Sequence, residues 1–112
     1  MIKVNWDVEE LVALIDIYQK SLASANYDVD EALKNLSEQL WIRAERLRII
    51  HDDKFRNENG MKMMYQNVVY IATNGEQGLS STSSRMKKDY SLLCSNPDVF
   101  KMILEDFNRH YQ

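Results

Sequence analysis

Residues that interrupt regular structure are scarce in this sequence, which has three glycines and one proline among 112 residues. A fold rich in tight turns needs more of both, so the composition favours long helices over a β fold. No apolar stretch approaches the roughly 20 residues of a membrane-spanning helix, and residues 1–6 lack the apolar run of a signal peptide. The single cysteine, Cys94, cannot form a disulfide within the chain. These absences predict a cytoplasmic protein without a membrane segment.

The residue types that perform most enzyme chemistry are equally few. The two histidines, His51 and His110, lie far apart in sequence, and a lone cysteine gives no paired metal-ligand spacing. The sequence has neither a glycine-rich phosphate loop nor a histidine–asparagine–histidine arrangement. The His-Asp-Asp run at 51–53, with Glu58, offers oxygens and a nitrogen to a divalent cation, but such a run is more typical of a solvated helix end. We therefore predict a non-enzymatic protein with no cofactor and no metal.

The residues that are present fit a globular domain, because 45% are hydrophobic and 28% are charged. A chain of this length can bury one core, so residues 1–112 are predicted to form a single domain. The formal net charge of −3 is unevenly spread. Residues 1–31 hold seven acidic and two basic side chains, whereas residues 41–62 hold four acidic and six basic ones. A locally basic face can meet phosphate or an acidic partner, although most such charge is solvated helix surface.

The spacing of apolar residues predicts two long helices in the first half of the chain. Asp7 and Asp28 each stand three residues before a glutamate, which is the capping-box spacing that begins a helix. The first helix is expected to end near Ser24. The buried stripe of the second is expected to reach Leu47 or Ile50.

Three more helices are predicted after the central segment. The first of these should begin at a cap formed by Asn57 or Asn59 and end at Asn74-Gly75. Its helical spacing outweighs the strand preference of residues 68–71. Hydroxyl side chains in the polar connection 76–84 can cap a short fourth helix, and Pro97 suits the first position of a fifth. The predicted fold is an all-α, compact bundle of about five helices.

The central segment, residues 53–62, concentrates cations, amides and a glycine around one phenylalanine. Asn57 or Asn59 has a local task as a helix cap, but the sequence indicates none for Arg56. The helix dipole supplies a structural reason for Arg43 and Arg46 late in the second helix, where they fall largely outside the buried stripe. The alternative is a nucleic-acid contact surface. Its predicted residues are Arg43, Arg46, Lys54, Arg56, Asn57, Asn59 and Lys62, with Arg85, Lys87 and Lys88 as further phosphate contacts.

Five short segments occur in an order that resembles a known family. They span residues 6–11, 17–18, 36–40, 55–61 and 78–81, and Phe55-Arg56-Asn57 with Gly60 is the most specific part. The order resembles the small helical module found ahead of the catalytic domain in HNH-type and other restriction-like endonucleases and in some defence-associated helicases. The resemblance extends from Trp6 to about Phe107. It implies an accessory domain of a DNA-processing system, such as restriction-modification or phage defence.

Two functions fit these observations. The first is a nucleic-acid-binding accessory module whose binding weakens steeply as salt rises. The second is a protein-interaction module, such as an inhibitor or adaptor that docks on a nuclease, helicase or other defence protein. The acidic contact residues predicted for this second function are Asp7, Glu9, Asp16, Asp28 and Asp30. Self-association through an exposed apolar or Met-rich face ranks third, because all five apolar stripes are needed for the core. The resemblance favours the nucleic-acid module.

Overall fold

Five α-helices make up the computed structural model, which describes residues 2–79 and 83–111. In chain order they are α1 (Val8–Ala23), α2 (Val29–Arg46), α3 (Glu58–Ala72), α4 (Ser84–Ser95) and α5 (Pro97–Tyr111). Residues 68–71 are helical, and no strand occurs in either described range. The prediction of a compact all-α bundle is therefore confirmed.

The first helix is the centre of the bundle and packs against each of the other four. Buried residues follow one another from position 10 to 15, so this part of the helix is buried on all sides rather than along one stripe. Its buried apolar residues are Leu11, Val12, Ala13, Leu14, Ile15 and Ile17. Each of the other helices contributes one apolar face, for example Leu40 in α2, Val68 in α3, Leu93 in α4 and Phe107 in α5. One continuous core results.

The first three helices begin at side-chain caps that the sequence predicts. Asp7 accepts the backbone N–H of Glu10 at 3.0 Å, and the Glu10 carboxylate accepts the N–H of Asp7 at 3.1 Å, which completes a capping box. Asp28 caps α2 by accepting the backbone N–H of Glu31 at 3.0 Å. Asn57 rather than Asn59 caps α3.

Ser83 caps α4 by accepting the N–H of Met86, as expected for the polar connection between α3 and α4. Three other hydroxyl residues of that connection, Ser80, Ser81 and Thr82, lie outside the described residues, as does part of the segment 78–81.

Two helices end in a left-handed turn that satisfies their last carbonyl groups. Asn74 has a φ of 54°, and the next N–H, that of Gly75, donates to the carbonyl of Tyr70 at 2.8 Å. The predicted cap at Asn74-Gly75 is thus confirmed. The same turn ends α2, with Arg48 in the left-handed position. Because α2 ends at Arg46, Leu47 and Ile50 are exposed, and the predicted extension of the buried stripe is wrong.

Gly78 lies where the chain after α3 turns back against that helix, and we predict that Gly78→Ala strongly destabilises the protein. Its φ is 88°, and an added Cβ would lie 2.3 Å from the carbonyl oxygen of Gln66 and 2.7 Å from the backbone nitrogen of Tyr70. These backbone atoms cannot move without disturbing α3. The expected loss is about 2 kcal/mol or more in the free energy of unfolding, measured by urea denaturation.

Gly75→Ala is the matched comparison for this prediction. Gly75 has a similar φ of 85°, but the nearest atoms to an added Cβ belong to the side chain of Tyr70, which can rotate away. We expect a loss of about 1–2 kcal/mol from the left-handed backbone alone. Equal losses in the two variants would contradict the close approach at Gly78.

Candidate functional site

Arg56, which we expected to be free for a ligand, lies inside the protein. Its side chain is 7% exposed and forms a bidentate ion pair with Glu10, whose side chain is 3% exposed. The Nε atom donates to Glu10 Oε2 at 2.7 Å, and Nη2 donates to Oε1 at 2.9 Å. Further hydrogen bonds run to the carbonyls of Val4 and Asn5, both at 3.2 Å. Arg56 therefore ties the N-terminal segment, α1 and the central segment together.

Aromatic rings and α2 side chains hold Arg56 in this position. The guanidinium carbon lies 4.3 Å from the ring centre of Trp6 and 4.6 Å from that of Phe55. Its own carbonyl accepts the hydroxyl of Ser37 at 2.6 Å, and the carbonyl of Phe55 accepts the indole N–H of Trp41 at 2.7 Å. The sequence Phe55-Arg56-Asn57, the most specific part of the resemblance, thus has a structural role here.

Arg43 is a second internal cation, and its predicted place outside the buried stripe is wrong. It is 5% exposed. Its Nη2 atom donates to Asp7 at 2.7 Å and to Glu9 at 3.1 Å. Burial opposes the charge of the guanidinium, but the hydrogen bond and negative charge of Asp7, with those of Glu9, raise the pKa of Arg43 above its ordinary value. Arg43 offers no guanidinium to a phosphate, and Asp7 and Glu9 are engaged within the protein.

Arg46 joins the end of α2 to the end of α5. Its Nη1 atom donates to the carbonyl of His110 at 2.7 Å, and the guanidinium lies 5.3 Å from the ring centre of Tyr111. The side chain is therefore used to satisfy a carbonyl in the last turn of α5. The helix dipole of α2 is a sufficient reason for a basic residue at this position. The carbonyl that Arg46 binds, however, belongs to α5.

The remaining predicted nucleic-acid contacts in and next to the central segment lie at the surface, and two of them have partners within the protein. The side-chain oxygen of Asn57 accepts the backbone N–H of Gly60. Lys62 forms a surface ion pair with Glu58 at 3.1 Å. Lys54 and Asn59 are exposed. Arg43 and Arg56 lie inside the protein. The predicted surface therefore lacks two arginines, the residue type best suited to bind a phosphate.

In residues 51–53, the possible cation site of the sequence analysis, Asp52 binds backbone N–H groups and His51 packs against an aromatic ring. The Asp52 carboxylate accepts the N–H groups of Ile2 and Lys54, both at 3.0 Å, and these bonds lower its pKa below the usual value. The ring of His51 stacks on Phe55, with 4.4 Å between ring centres. Across the described residues, no group of three or more His, Cys, Asp or Glu side chains is placed to hold a metal ion.

An acidic groove of about 650 Å³ lies between the beginning of α2 and the beginning of α3. Five carboxylates and two lysines line it, and Leu33 and Met61 form part of its lining. The charged lining residues are Asp28, Asp30, Glu31, Lys34, Glu38, Glu58 and Lys62. The two apolar residues are fixed in the core, since Leu33 is 4% and Met61 is 0% exposed. We use the name acidic groove for this set of residues.

The acidic groove brings together only part of the predicted acidic surface. Asp28 and Asp30 line it, whereas Asp16 pairs with Lys20 at 2.9 Å and lines a different cavity. The sequence interpretation missed the contribution of Glu31, Glu38 and Glu58. The spacing of acids at 31 and 38, two helical turns apart, is a signal that both lie on one side of α2. Nothing local indicates that Glu58 of α3 joins them.

Comparisons of this chain with protein-family models, with curated proteins and with solved structures gave no match. The fold and the groove by themselves define the class: a small all-α bundle with an acid-lined groove between two helix beginnings. None of the helices in the described residues has both the length and the apolar character needed to cross a membrane.

Proposed function

We propose that this protein is a non-catalytic interaction module that binds a cationic segment of a partner protein in the acidic groove. The observation that carries the proposal is the lining of the groove, in which five carboxylates outnumber two lysines. Complementary charge speeds the encounter of two proteins and fixes how they are oriented. A lysine- or arginine-bearing segment is the occupant that this charge fits.

The field inside the groove already stabilises a cation that belongs to the protein. The pKa of Lys62 is raised by the hydrogen bond and the charge of Glu58, and additionally by the charge of Asp30 across the groove. A positive side chain of a partner would be attracted to the carboxylates that line the groove. Exposed charge pairs are individually weak and are screened by salt. Binding is therefore expected to depend on several pairs formed together.

The same charges disfavour a phosphate backbone at this surface. Two of the cations in the nucleic-acid interpretation, Arg43 and Arg56, are engaged by carboxylates of the protein itself. A nuclease or helicase, the partner class implied by the sequence resemblance, carries a basic surface for its nucleic acid. Such a surface is a suitable source of the cationic segment.

The proposal is tested by anisotropy titrations with a labelled helical peptide of lysine and alanine, beside a labelled DNA duplex, at low and near-physiological salt. We expect the peptide to bind at low salt and the duplex not to bind. Neutralising the groove with Asp30→Asn, Glu38→Gln and Glu58→Gln together should weaken peptide binding at least about tenfold, since three charge pairs are lost. Circular dichroism checks that this variant remains folded.

The matched control changes the same number of charges outside the groove, with Asp53→Asn, Glu76→Gln and Asp98→Asn. These three side chains are exposed, and none of them lines the groove. The control should bind the peptide nearly as the unaltered protein does. Duplex binding that requires Lys54 and Lys62, with no peptide binding, would reject the proposal in favour of the nucleic-acid module.

A further inference from the structure

The two lysines that line the acidic groove differ in their partners. On the α3 side, Lys62 pairs with Glu58 at 3.1 Å, so these two charges largely neutralise each other. On the α2 side, Lys34 is exposed and makes neither an ion pair nor a side-chain hydrogen bond with any residue in the ranges 2–79 and 83–111. Its positive charge is therefore available to an occupant of the groove.

Lys34 stands between acids on the same helix. Asp30 and Glu31 precede it by one helical turn, and Glu38 follows it by one turn, which are the spacings at which helix side chains are neighbours. These carboxylates are exposed, line the groove, and likewise form no ion pair within the described parts of the chain. We call Asp30, Glu31, Lys34 and Glu38 the α2 row; its charges run acid, base, acid along the helix.

A segment that carries only basic side chains does not fit the α2 row. One of its cations would lie beside the ammonium group of Lys34, and like charges placed side by side repel. An acid at that place pairs with Lys34 instead. Bases on either side of this acid meet the carboxylates of the row, so the complementary pattern is base, acid, base.

The spacing of the α2 row matches the repeat of a second helix. From Glu31 to Glu38 the row covers about 10 Å, because a helix rises about 1.5 Å per residue. A helix beside α2 repeats its side chains on one face at the same interval. In an extended segment, three side chains on one face would cover about 13–14 Å, which exceeds the length of the row.

We propose that the acidic groove accepts a helix of another protein that carries an acid between two bases, at positions i, i+4 and i+7, and that Lys34 selects it. The inference rests on the proposed function, because it names which cationic segment the groove binds. The acid of the partner pairs with Lys34, and its two bases pair with the carboxylates of the α2 row. Lys34 is thus a specificity-determining residue.

A second copy of this chain is a poorer occupant. Two antiparallel α2 helices would bring Lys34 of each copy together. The helix α5 does carry a base, acid, base series, Lys101, Glu105 and Arg109, but its bases are paired on α5 itself, with Glu105 at 4.0 Å and with Asp106 at 3.9 Å. We expect a monomer in sedimentation equilibrium at low salt. Self-association that is lost in Lys34→Glu would make a second copy the occupant and overturn the proposal.

The test is NMR titration of the protein at low salt with three peptides of alanine and glutamine, each about 18 residues long so that it forms a helix. The mixed peptide has one glutamate between two lysines at the proposed spacing, and the all-basic peptide has lysine in place of that glutamate. The isomer has the composition of the mixed peptide, but its glutamate directly follows the first lysine and points to another side of the helix. We expect the mixed peptide to bind about fivefold more tightly than the isomer.

The variant Lys34→Glu distinguishes pairing from net charge, because the two predict effects of opposite sign. It makes the groove more acidic, so net charge alone would strengthen the binding of every cationic peptide. We expect its affinity for the mixed peptide to fall about fivefold, since a pair of opposite charges becomes a pair of like charges. Its affinity for the all-basic peptide should rise.

The matched control is Lys87→Glu, which makes the same change of charge at an exposed position of α4 outside the groove. It should bind the mixed peptide nearly as the unaltered protein does. Circular dichroism checks that Lys34→Glu remains folded. Lys34→Gln adds no carboxylate to α2 and should change both affinities in the same directions, by a smaller factor.

The outcomes separate this inference from the function on which it rests. If Lys34→Glu and Lys34→Gln bind both the mixed and the all-basic peptides more tightly, the groove responds only to net charge, and the inference is overturned while the proposed function stands. Equal affinities for the mixed peptide and its isomer would overturn it as well. If none of the peptides binds the unaltered protein, the proposed function itself fails.

Discussion

Replacing Arg56 with alanine is expected to lower the free energy of unfolding by about 3–5 kcal/mol. The variant would leave the carboxylate of Glu10, whose side chain is 3% exposed, without its cation. It would also leave the carbonyls of Val4 and Asn5 without their donors and remove the cation between the rings of Trp6 and Phe55. The loss is measured by urea denaturation followed by far-ultraviolet circular dichroism.

Lys54→Ala is the matched control, because it removes a cation two residues away from an exposed position. Its effect is expected to stay within about 0.5 kcal/mol. A second check is the double variant Glu10→Gln, Arg56→Met, in which no buried charge is left unpaired. It should be less destabilised than the sum of its two single variants. If Arg56→Ala is as mild as Lys54→Ala, the side chain is solvated and the internal ion pair is not formed.

This expectation also determines how nucleic-acid binding should be probed. A loss of binding in Arg56→Ala would report unfolding as readily as a lost phosphate contact. Lys54 and Lys62 are exposed and can be replaced without disturbing the core. They, rather than Arg56, are the positions at which the loop surface should be tested.

Phe107→Ala is expected to lower the free energy of unfolding by about 3–5 kcal/mol as well. Phe107 is 1% exposed and is among the largest fully buried side chains. It belongs to the single core and packs beside Tyr111, with 5.1 Å between ring centres. Truncation would leave a cavity that the surrounding helices can fill only partly. Thermal and urea unfolding both measure the loss.

Met102→Ala on the same helix separates the loss of core packing from the loss of helix stability. Met102 is 65% exposed, so its truncation removes few contacts. Its expected effect is within about 0.5 kcal/mol. If both variants cost the same, α5 does not pack on the core as described, since burial would then make no difference.

The helices and their ends could be predicted because the forces that set them act between near neighbours. Asp7 and Glu10 form the capping box of α1 across three residues, and the turn at Asn74-Gly75 satisfies a carbonyl only five residues back. The same local reasoning failed at Leu47, where Arg48 takes a left-handed conformation and ends α2. Arginine carries no signal for that conformation, which glycine and asparagine favour.

The candidate sites could be predicted only in part, because their residues meet across long separations. The sequence shows that Arg56 has no local partner in the central segment, but it does not show that its partner is Glu10, 46 residues away in sequence. Arg43 likewise pairs with Asp7 across 36 residues. A charged residue looks the same in sequence whether it is solvated or internally paired. Its burial depends on which helices pack together.

The sequence by itself determined that this chain forms helices, where most of them begin, and which apolar residues can be buried, because periodicity and capping are local properties of the chain. The tertiary structure alone decided which charges are available to a partner. Packing of α1 against α2 and the central segment buries Arg43 and Arg56, since their carboxylates compensate for lost hydration. The same packing leaves Asp30 and Glu58 together at the surface, where they create the acidic groove.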